Sequence, residues 1–522
     1  MAENNNNILT VGSIVKMDLT IRHDEYLETQ YARDTSRLLF DGIHALQKSG
    51  NIKDYLFEKK NESKNDYNLR VKRLLLDPWI DKIITARQAL LFRKSIIREL
   101  ISELKEYTEN VDLKGTSIDS FMENQSKQAQ IDGIRWILVD MPQRILDEQG
   151  NLKPLTALQE KQLNFRPFME CIPANVVIDW EFGEDKKLLW VVMELNIKMA
   201  RSIENIGRKP EIRKQYKVWT RNYCVVYEEV KKGTQYDIMQ NTKNDLITLP
   251  TQTNTDKEYK IISIQLNMLS EIPLVPLFGV KRSEASGDPI CKNILQHVIL
   301  LMNKNSVTDH FEEKAAHPVP YAISKKPPEK IDSWNGIWIP NTADASEHSI
   351  GQTQIGYLEP TGASFSVIKE TIKDITYKIL SISLAQNRKE SSQVQSSDSQ
   401  KEDRKIFSSS LYSTSLQIEE TEIRCWNLMA KWLGKETGVV ELTYSRDFDD
   451  KEIAVEMINS LRDLVTSYLL PKKTLWELLI KNEILPDDFD FDLAELEISN
   501  QINAESGINT GNIILGDEND EV

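Results

Sequence analysis

The chain has 522 residues, of which 40% are hydrophobic and 28% charged, a composition that predicts a globular protein of two or more domains. No apolar run approaches the roughly 20 residues that a membrane span needs, and the first residues, MAENNNNILT, lack the basic and apolar regions of a signal peptide, so we expect a soluble, non-exported protein. Residues 484–522 hold eleven acidic and no basic residues, which leaves residues 1–483 with 65 basic and 69 acidic groups, a net charge of −4, without the basic footprint of a sequence-reading nucleic-acid binder.

The first 130 residues predict a mainly helical region. Between positions 74 and 104, isoleucines and leucines recur near helical spacing, and Asp77-Pro78 suits the start of a helix. Arg87 falls on the apolar face of this helix. We expect it at the rim of that face, with its stem covering apolar surface.

From Ile134 onward, short β-type runs replace the helical pattern. They are rich in β-branched and aromatic residues, and charged or Asn-rich turns separate several of them. This pattern predicts a mixed or antiparallel sheet packed on the preceding helices. The runs are residues 134–142, 188–195, 216–230, 259–266 and 273–279, the last with prolines that mark a sheet edge or an exit.

A long helix is predicted next. Asp288 suits an N-cap, and Pro289 suits the first turn of a helix that runs to just before His317. The apolar stripe of this helix includes Ile294 and Val298. The prolines and two tryptophans of residues 318–360 then predict a small β-rich excursion.

A second helix carries isoleucines spaced alternately four and three residues apart. This heptad-like seam is expected to pack on a neighbouring helix. Its members are Ile368, Ile372, Ile375, Ile379 and Ile382.

The helix leads into a polar run, residues 386–405, in which Val394 is the only aliphatic residue. Connections of this length are uncommon inside compact domains, and they indicate either function or disorder. Basic and acidic side chains nearly cancel, so the run could touch a nucleic-acid backbone without holding it. A surface insertion without function is the alternative.

A third helix is predicted from Ile406 to Leu433, with Gly434 at its stop. Residues 439–445 predict one more strand, and two short helices, 450–469 and 473–483, precede the acidic end.

Catalytic motifs are mostly absent from the sequence. It contains no phosphate loop, nucleophile elbow, HExxH or glycine-rich dinucleotide fingerprint. The four cysteines are far apart without a CxxC pair, so we expect reduced thiols and neither a zinc cluster nor a disulfide framework. No cofactor and no metal site are predicted, and the protein is not expected to be an enzyme.

Three groups of residues contain side chains that can bind metal ions, but the pattern of each favours another interpretation. His310, Glu313 and His317 share a helical face, but such surfaces are usually only solvated. Asp179 and Glu194 lie near strand ends and suggest a metal nuclease only faintly, because Asn196 stands where a lysine is expected. The acidic turn 487–492 lacks the glycine and the spacing of a calcium loop.

The order of these elements resembles that of a tailed-bacteriophage portal protein. Local sequence is similar over roughly residues 40–500, at 55–94, 134–142, 172–180, 272–279, 355–364 and 474–490. The resemblance implies an α+β portal fold with a helical and β-containing wing, long stem helices, a small β-rich clip and a helical crown. Its implied parts are the wing (1–285 and 406–449), the stem helices (286–316 and 363–385), the clip (317–362), the tunnel loop (386–405), the crown (450–500) and an acidic disordered tail (501–522).

The resemblance also implies how the protein works. Copies would form a ring, typically dodecameric, at one capsid vertex of the virion, assembled in the cytoplasm of a bacterial host. The implied partners are double-stranded DNA passing without sequence preference, the terminase large subunit, the major capsid and scaffolding proteins, and a head–tail adaptor; no membrane is involved. Stem packing is implied for Ile294, Val298, Ile368, Ile372, Ile375 and Ile379. Contact with DNA in the channel is implied for Arg388, Lys389, Gln393, Gln395, Lys401, Arg404 and Lys405.

Two other classes of protein remain open on the residues alone. One is a metal-dependent nucleic-acid enzyme that uses Asp179 and Glu194. The other is a cytoplasmic adaptor built from helices with a disordered insertion.

Overall fold

The computed structural model shows helices combined with antiparallel sheets, an α+β protein. Apart from isolated residues, the structure describes residues 13–60, 62–142, 164–199, 209–229, 257–316, 319–324, 337–340, 354–358, 363–383, 397–446, 471–481 and 489–505. The chain divides into two compact units, residues 1–448 and 449–522.

The α-helices of the described residues range from single turns to more than thirty residues. They are α1 (Asp24–Asp41), α2 (Ile43–Lys48), α3 (Lys64–Arg73), α4 (Trp79–Leu91), α5 (Ser102–Lys105), α6 (Ile118–Asp132), α7 (Leu295–Ala316), α8 (Ala363–Ser383), α9 (Ser397–Trp432), α10 (Lys472–Lys481) and α11 (Phe491–Glu505). None of the helices in the described part of the chain is both long and apolar enough to cross a membrane.

The strands form several sheets. They are β1 (Ile14–Lys16), β2 (Ile97–Leu100), β3 (Ile134–Asp140), β4 (Phe168–Pro173), β5 (Val177–Phe182), β6 (Leu188–Lys198), β7 (Ile212–Thr220), β8 (Tyr223–Glu229), β9 (Glu258–Leu266), β10 (Leu274–Phe278), β11 (Val280–Lys281), β12 (Gly287–Asp288), β13 (Val319–Ser324), β14 (Ile337–Pro340), β15 (Gln354–Leu358) and β16 (Val439–Thr443). The largest sheet has the order β1-β9-β8-β7-β6-β5, and a three-stranded sheet has the order β10-β3-β4.

The three-stranded sheet separates two apolar cores. On β3, the side chains of Ile134, Trp136 and Leu138 lie in the core shared with the six-stranded sheet. Ile137 and Val139, which point the other way, lie in the core formed with the helices. A strand buried on both faces needs a continuous apolar run rather than an alternating one, and this explains the sequence of β3. Pro276 lies in β10, at an edge of this sheet, as the prolines predicted.

The six-stranded sheet is antiparallel throughout its described pairs, which confirms the prediction of a mixed or antiparallel sheet. Residues 216–230, predicted as one β-type run, form two strands, because the chain reverses at Arg221-Asn222 and β7 pairs with β8 as a hairpin.

Several helix boundaries differ from the prediction. The helix expected over 74–104 ends at Leu91, because β2 follows and pairs with β16. The long helix begins at Leu295 rather than near Pro289, because Gly287 and Asp288 form β12 and a single 3-10 turn intervenes at Lys292–Ile294. The C-terminal segment expected to be disordered from 501 continues α11 as far as Glu505.

The predicted stop of the third helix at Gly434 is confirmed. Gly434 adopts a φ of 73°, a left-handed conformation that costs glycine little. The amide of Lys435 donates to the carbonyl of Ala430 at 2.9 Å, which satisfies one of the last carbonyls of α9.

Within the second unit, α10 and α11 are linked by aromatic contacts. The rings of Trp476 and Phe491 are stacked with centroids 6.0 Å apart, and Phe489 meets both rings edge-on. Asp490 caps α11 by accepting from the amides of Asp492 and Leu493 at 3.0 and 3.1 Å. The acidic turn therefore contributes a helix cap.

A buried polar network fastens α9 to β2 and to the segment after β16. Glu422, fully buried, accepts hydrogen bonds from Arg98 Nε at 2.6 Å and from Trp426 Nε1 at 3.0 Å. The hydroxyl of Tyr444 also donates to this carboxylate. Burial alone would lower the pKa of Arg98, but its bonds to Glu422 raise that pKa overall. Removing one member of such a network leaves the others buried without partners.

We expect Glu422→Gln to lower the free energy of unfolding by about 3 kcal/mol, because the buried guanidinium of Arg98 loses the charge that compensates it. Urea titration of the purified protein measures the change. Glu420→Gln, two residues away and exposed, is the matched control and should cost less than about 0.5 kcal/mol. Equal losses in the two variants would contradict the assignment.

Candidate functional site, a helix pair that carries a small sheet

Helix α7 begins inside the main core and leaves it. Four residues of its first turns and the turn before it, Ile294, Leu295, Val298 and Met302, are each at most 3% exposed. From Asn303 onward the sequence becomes polar and most side chains are only partly buried. At 1.5 Å per residue the helix is about 33 Å long, so its far half extends beyond the apolar base.

Two contacts outside the apolar stripe hold α7 to the N-terminal segment. Asn303 donates to the carbonyl of Tyr55 at 2.7 Å and accepts from the amide of Phe57 at 3.1 Å. Arg70, on α3, donates to Ser306 at 3.3 Å and binds both carboxylate oxygens of Glu62 at 2.6 and 2.7 Å. The hydrogen bonds from Arg70 lower the pKa of Glu62. The side chains of this ion pair are 5% and 6% exposed, so it fixes the base of α7 to the segment before α3.

Helix α8 returns along α7 to the same core. Ile375 and Ile379 are 4% and 0% exposed and belong to the main core, and Ile372 packs against it. Ile368, nearer the far end, is only partly buried, and Ile382 is 50% exposed. Near the far end, Lys369 Nζ lies 3.9 Å from Glu312 Oε1, a contact between the two helices. The isoleucine seam thus packs on a neighbouring helix, as predicted, and that helix belongs to the same chain.

The stem-packing residues of the prediction are therefore largely used inside one copy. Ile294, Val298, Ile375 and Ile379 are buried without any second chain. The i, i+3 and i, i+4 spacing brings them to the face of each helix that meets the core. The outer face of α8 still exposes Val367 by 62% and Tyr377 by 41%, so contacts between copies would use residues that the seam did not identify.

A small three-stranded sheet lies between α7 and α8 in the chain. Its order is β14-β13-β15, with β14 parallel and β15 antiparallel to β13. Ala322, on the central strand, is fully buried. Tyr321 lies opposite Gly356 and covers it, since a Cβ at that glycine would be 2.9 Å from the tyrosine ring. This arrangement agrees with the predicted β-rich excursion.

Both edge strands of the small sheet expose apolar side chains. The exposed fractions are 46% for Ile337, 38% for Trp338 and 44% for Ile339 on β14, and 74% for Ile355 and 64% for Tyr357 on β15. Exposed edges with apolar side chains are prone to associate with another chain. The end of the helix pair is therefore suited to protein contacts.

The polar run falls mostly outside the described residues. Arg388, Lys389, Gln393 and Gln395 lie outside them, and so do the side chains of Lys401, Arg404 and Lys405. The backbone of 397–405 is helical, because α9 begins at Ser397, nine residues before the predicted start. The prediction that the whole of 386–405 is a loop was therefore wrong for its second half. The residues Ser, Asp, Gln, Lys and Glu at the start of α9 suit an exposed helical turn as well as a loop.

The candidate nuclease residues have other partners. Glu194, on β6, lies 3.2 Å from Lys214 on β7 and forms an ion pair with it. Burial raises the pKa of Asp179, which accepts from the amide of Trp180 at 3.1 Å. Among the described residues, no group of three or more His, Cys, Asp or Glu could hold a metal ion. His317 and the side chain of Glu313 lie outside the described residues, as do Asp487 and Asp488 of the acidic turn.

The four cysteines are free thiols. Burial raises the pKa of Cys224 and of Cys291 to about 12, so both remain protonated near neutral pH. Each contributes to an apolar core, which agrees with the expectation of reduced thiols.

Arg87 is a polar residue that sequence reasoning placed wrongly. It was expected at the rim of α4, yet only 3% of it is exposed. It follows Ile80, Ile83 and Ile84 at helical spacing and precedes Leu91, so it occupies the middle of the buried face. The helical spacing of Arg87 indicated a buried position, whereas its positive charge favoured an exposed one.

Comparisons with known proteins give weak likenesses. No protein-family model and no curated protein matches the chain. Among solved structures, a chain in the virion of a native gene transfer agent particle is similar with a TM-score of 0.36 and 9% identity, over 81% of this chain and 94% of that chain. A chain in the neck of the native particle, computed with C12 symmetry, is similar with a TM-score of 0.34 and 8% identity, over 76% of this chain and 86% of that chain. A chain in the neck of the empty particle, computed with C6 symmetry, is similar with a TM-score of 0.38 and 8% identity, over 85% of this chain and 96% of that chain. Scores and identities this low do not establish a common fold.

Burial in the helix pair makes a direct prediction about stability. Ile379→Ala, at a fully buried position of α8, should lower the free energy of unfolding by about 2–5 kcal/mol, because it leaves a cavity in the main core. Ile382→Ala, one turn away and half exposed, should change it by less than about 0.5 kcal/mol. Urea titration of both variants tests the pair. A larger loss for Ile382→Ala would mean that the seam faces elsewhere.

Proposed function

We propose that this chain is a portal protein, a subunit of a ring through which phage DNA passes at one vertex of the capsid. The observation that carries the proposal is the helix pair α7–α8, rooted in the main core, with a small sheet between the two helices that exposes apolar edges. The order of elements along the chain, together with the resemblance of residues 40–500 to portal proteins, supports the same proposal.

The exposed residues favour assembly from several copies. A rod of two helices with charged and apolar residues on its outer side, such as Lys373 and Val367, has little function in an isolated molecule. Placed side by side around an axis, such rods would form a wall, and the small sheets would form a rim. Under the proposal the ring is a dodecamer, and it stays in the virion after assembly in the cytoplasm of the bacterial host.

The proposed work of the ring is mechanical. Residues 317–362 would contact the terminase large subunit during packaging and the head–tail adaptor afterwards, while the wing would contact the major capsid and scaffolding proteins. The segment between Ser383 and Ser397 would line the channel, where its polar, nearly charge-balanced composition would let DNA move. The proposed protein has no catalytic step of its own and uses no cofactor or metal.

A nucleic-acid enzyme is the weaker alternative. The ion pair between Glu194 and Lys214 occupies one of the two carboxylates that such an enzyme would need. A helical adaptor that acts as a monomer is the other alternative, and the mass of the purified protein separates it from a ring.

The first test is the mass in solution. Sedimentation at micromolar concentration should give a closed oligomer of many 60.2 kDa chains, about twelve by the portal resemblance. The double variant Ile355→Asp with Tyr357→Asp should shift the population to smaller species, because it places charge on an edge of the small sheet. Leu266→Asp, 63% exposed on β9, is the matched control and should leave the mass unchanged. A wild-type monomer would rule out the portal assignment.

The second test addresses the channel. Deleting residues 387–396, which precede α9, should leave ring assembly intact and reduce the amount of packaged DNA severalfold. Phage production with the variant measures packaged DNA, and sedimentation measures the ring. Normal packaging by an assembled variant would remove this segment from the channel.

A further inference from the structure

The guanidinium of Arg87 is buried, and no carboxylate of the described residues forms an ion pair with it. Its Nη2 donates to the hydroxyls of Ser410 and Thr414, each at 3.2 Å. The Cζ atom of Arg87 lies 5.5 Å from the ring centre of Phe407. Its Nε has no hydrogen-bond partner among the described residues. Burial lowers the pKa of Arg87 to about 10, so the group still carries its charge at neutral pH. Arginines are seldom fully buried unless they are paired.

Ser410 and Thr414, whose hydroxyls accept hydrogen bonds from Arg87, also line a cleft between α9 and the segment after β10. Its volume is about 360 Å³. One wall is formed by α9, through Ser409, Ser410, Ser413, Thr414 and Gln417, and the other lining residues are Gly279, Val280 and Ile290. No acidic residue lines the cleft. Behind the cleft, the guanidinium of Arg87 donates to the hydroxyls of Ser410 and Thr414 and places positive charge against this wall.

The polar atoms of the α9 wall can act as donors toward the cleft. Thr414 gives its own hydroxyl hydrogen to the carbonyl of Ser410 at 2.9 Å, but a serine hydroxyl that accepts from Arg87 keeps its hydrogen for another acceptor. Gln417 Oε1 is buried and without a partner. Rotating the side-chain amide of Gln417 by 180° would put its NH₂ group, a hydrogen-bond donor, where Oε1 now lies.

From this combination of buried positive charge, hydroxyl donors and the lack of an acid, we infer that the cleft binds a small oxyanion of the phosphate class. The positive charge of Arg87 behind the α9 wall supplies the attraction, the hydroxyl of Ser410 donates to the anion, and Ser409 and Ser413 add further donors. Charge-assisted hydrogen bonds of this kind are the strong ones in proteins. The inference concerns one copy of the chain and is independent of the proposed ring.

Thermal unfolding in phosphate tests the site. The melting temperature of the full chain should rise by about 2 °C when millimolar phosphate replaces chloride at equal ionic strength, because a ligand that binds only the folded state stabilises it. Arg87→Met should abolish the rise. Arg33→Met is the matched control, since Arg33 is also buried, at 5% exposure, but lies against Tyr26 and Asp34. It should keep the rise.

A second variant protects the test if Arg87→Met fails to fold. Ser410→Ala combined with Ser413→Ala leaves the charge in place, and titration calorimetry with inorganic phosphate should show affinity weakened about tenfold. Absence of a phosphate-dependent rise in the wild-type protein would overturn the inference. So would an equal rise in Arg87→Met, or unchanged affinity in the double serine variant.

Discussion

The bases of α7 and α8 are packed into the same apolar core as α9, and the other features of the fold depend on this shared packing. Ile294 from the turn before α7, Val298 from α7, Ile379 from α8 and Trp426 from α9 all lie in it, each at most 2% exposed. Close-packed interiors transmit displacement with little compression. The helix pair is therefore held firmly at its base, although its far half has few neighbours.

A firmly held base matters for a ring. If copies stand around an axis, the direction of each helix pair decides whether the small sheets meet in one rim. The hydrogen bonds of Asn303, and Arg70 held by Glu62 against Ser306, fix that direction relative to the N-terminal segment. The network around Glu422 does the same for α9 against β2. The polar contacts thus orient the helices, while the apolar core supplies most of the stability.

Much of the fold was predictable because local patterns determined it. The β3 run, the isoleucine seam of α8 and the left-handed Gly434 each follow from spacing or from the conformational freedom of one residue. The predictions failed where tertiary contacts decide. Helix α7 starts late because β12 pairs with β11 first, and one β-type run becomes two strands because β7 and β8 pair as a hairpin.

The candidate site was less predictable than the fold. The portal-like parts came from the order of elements, whereas the residues exposed on the small sheet and on the outer face of α8 could not be separated from core residues by type. Arg87 is a charged residue for which the residue type was also misleading. Its charge predicted an exposed side chain, but the side chain is buried because α4 packs against α9. Burial of a charge depends on what covers it, which a pattern along one helix does not record.

Electron microscopy of the purified full-length protein, viewed end-on and from the side, tests the central claim most directly. The account predicts a closed ring around an open hole, with the helix pairs side by side in its wall and the small sheets together at one end. Single particles of the size of one chain, or a complex in which the helix pairs lie apart on the outer surface, would contradict it.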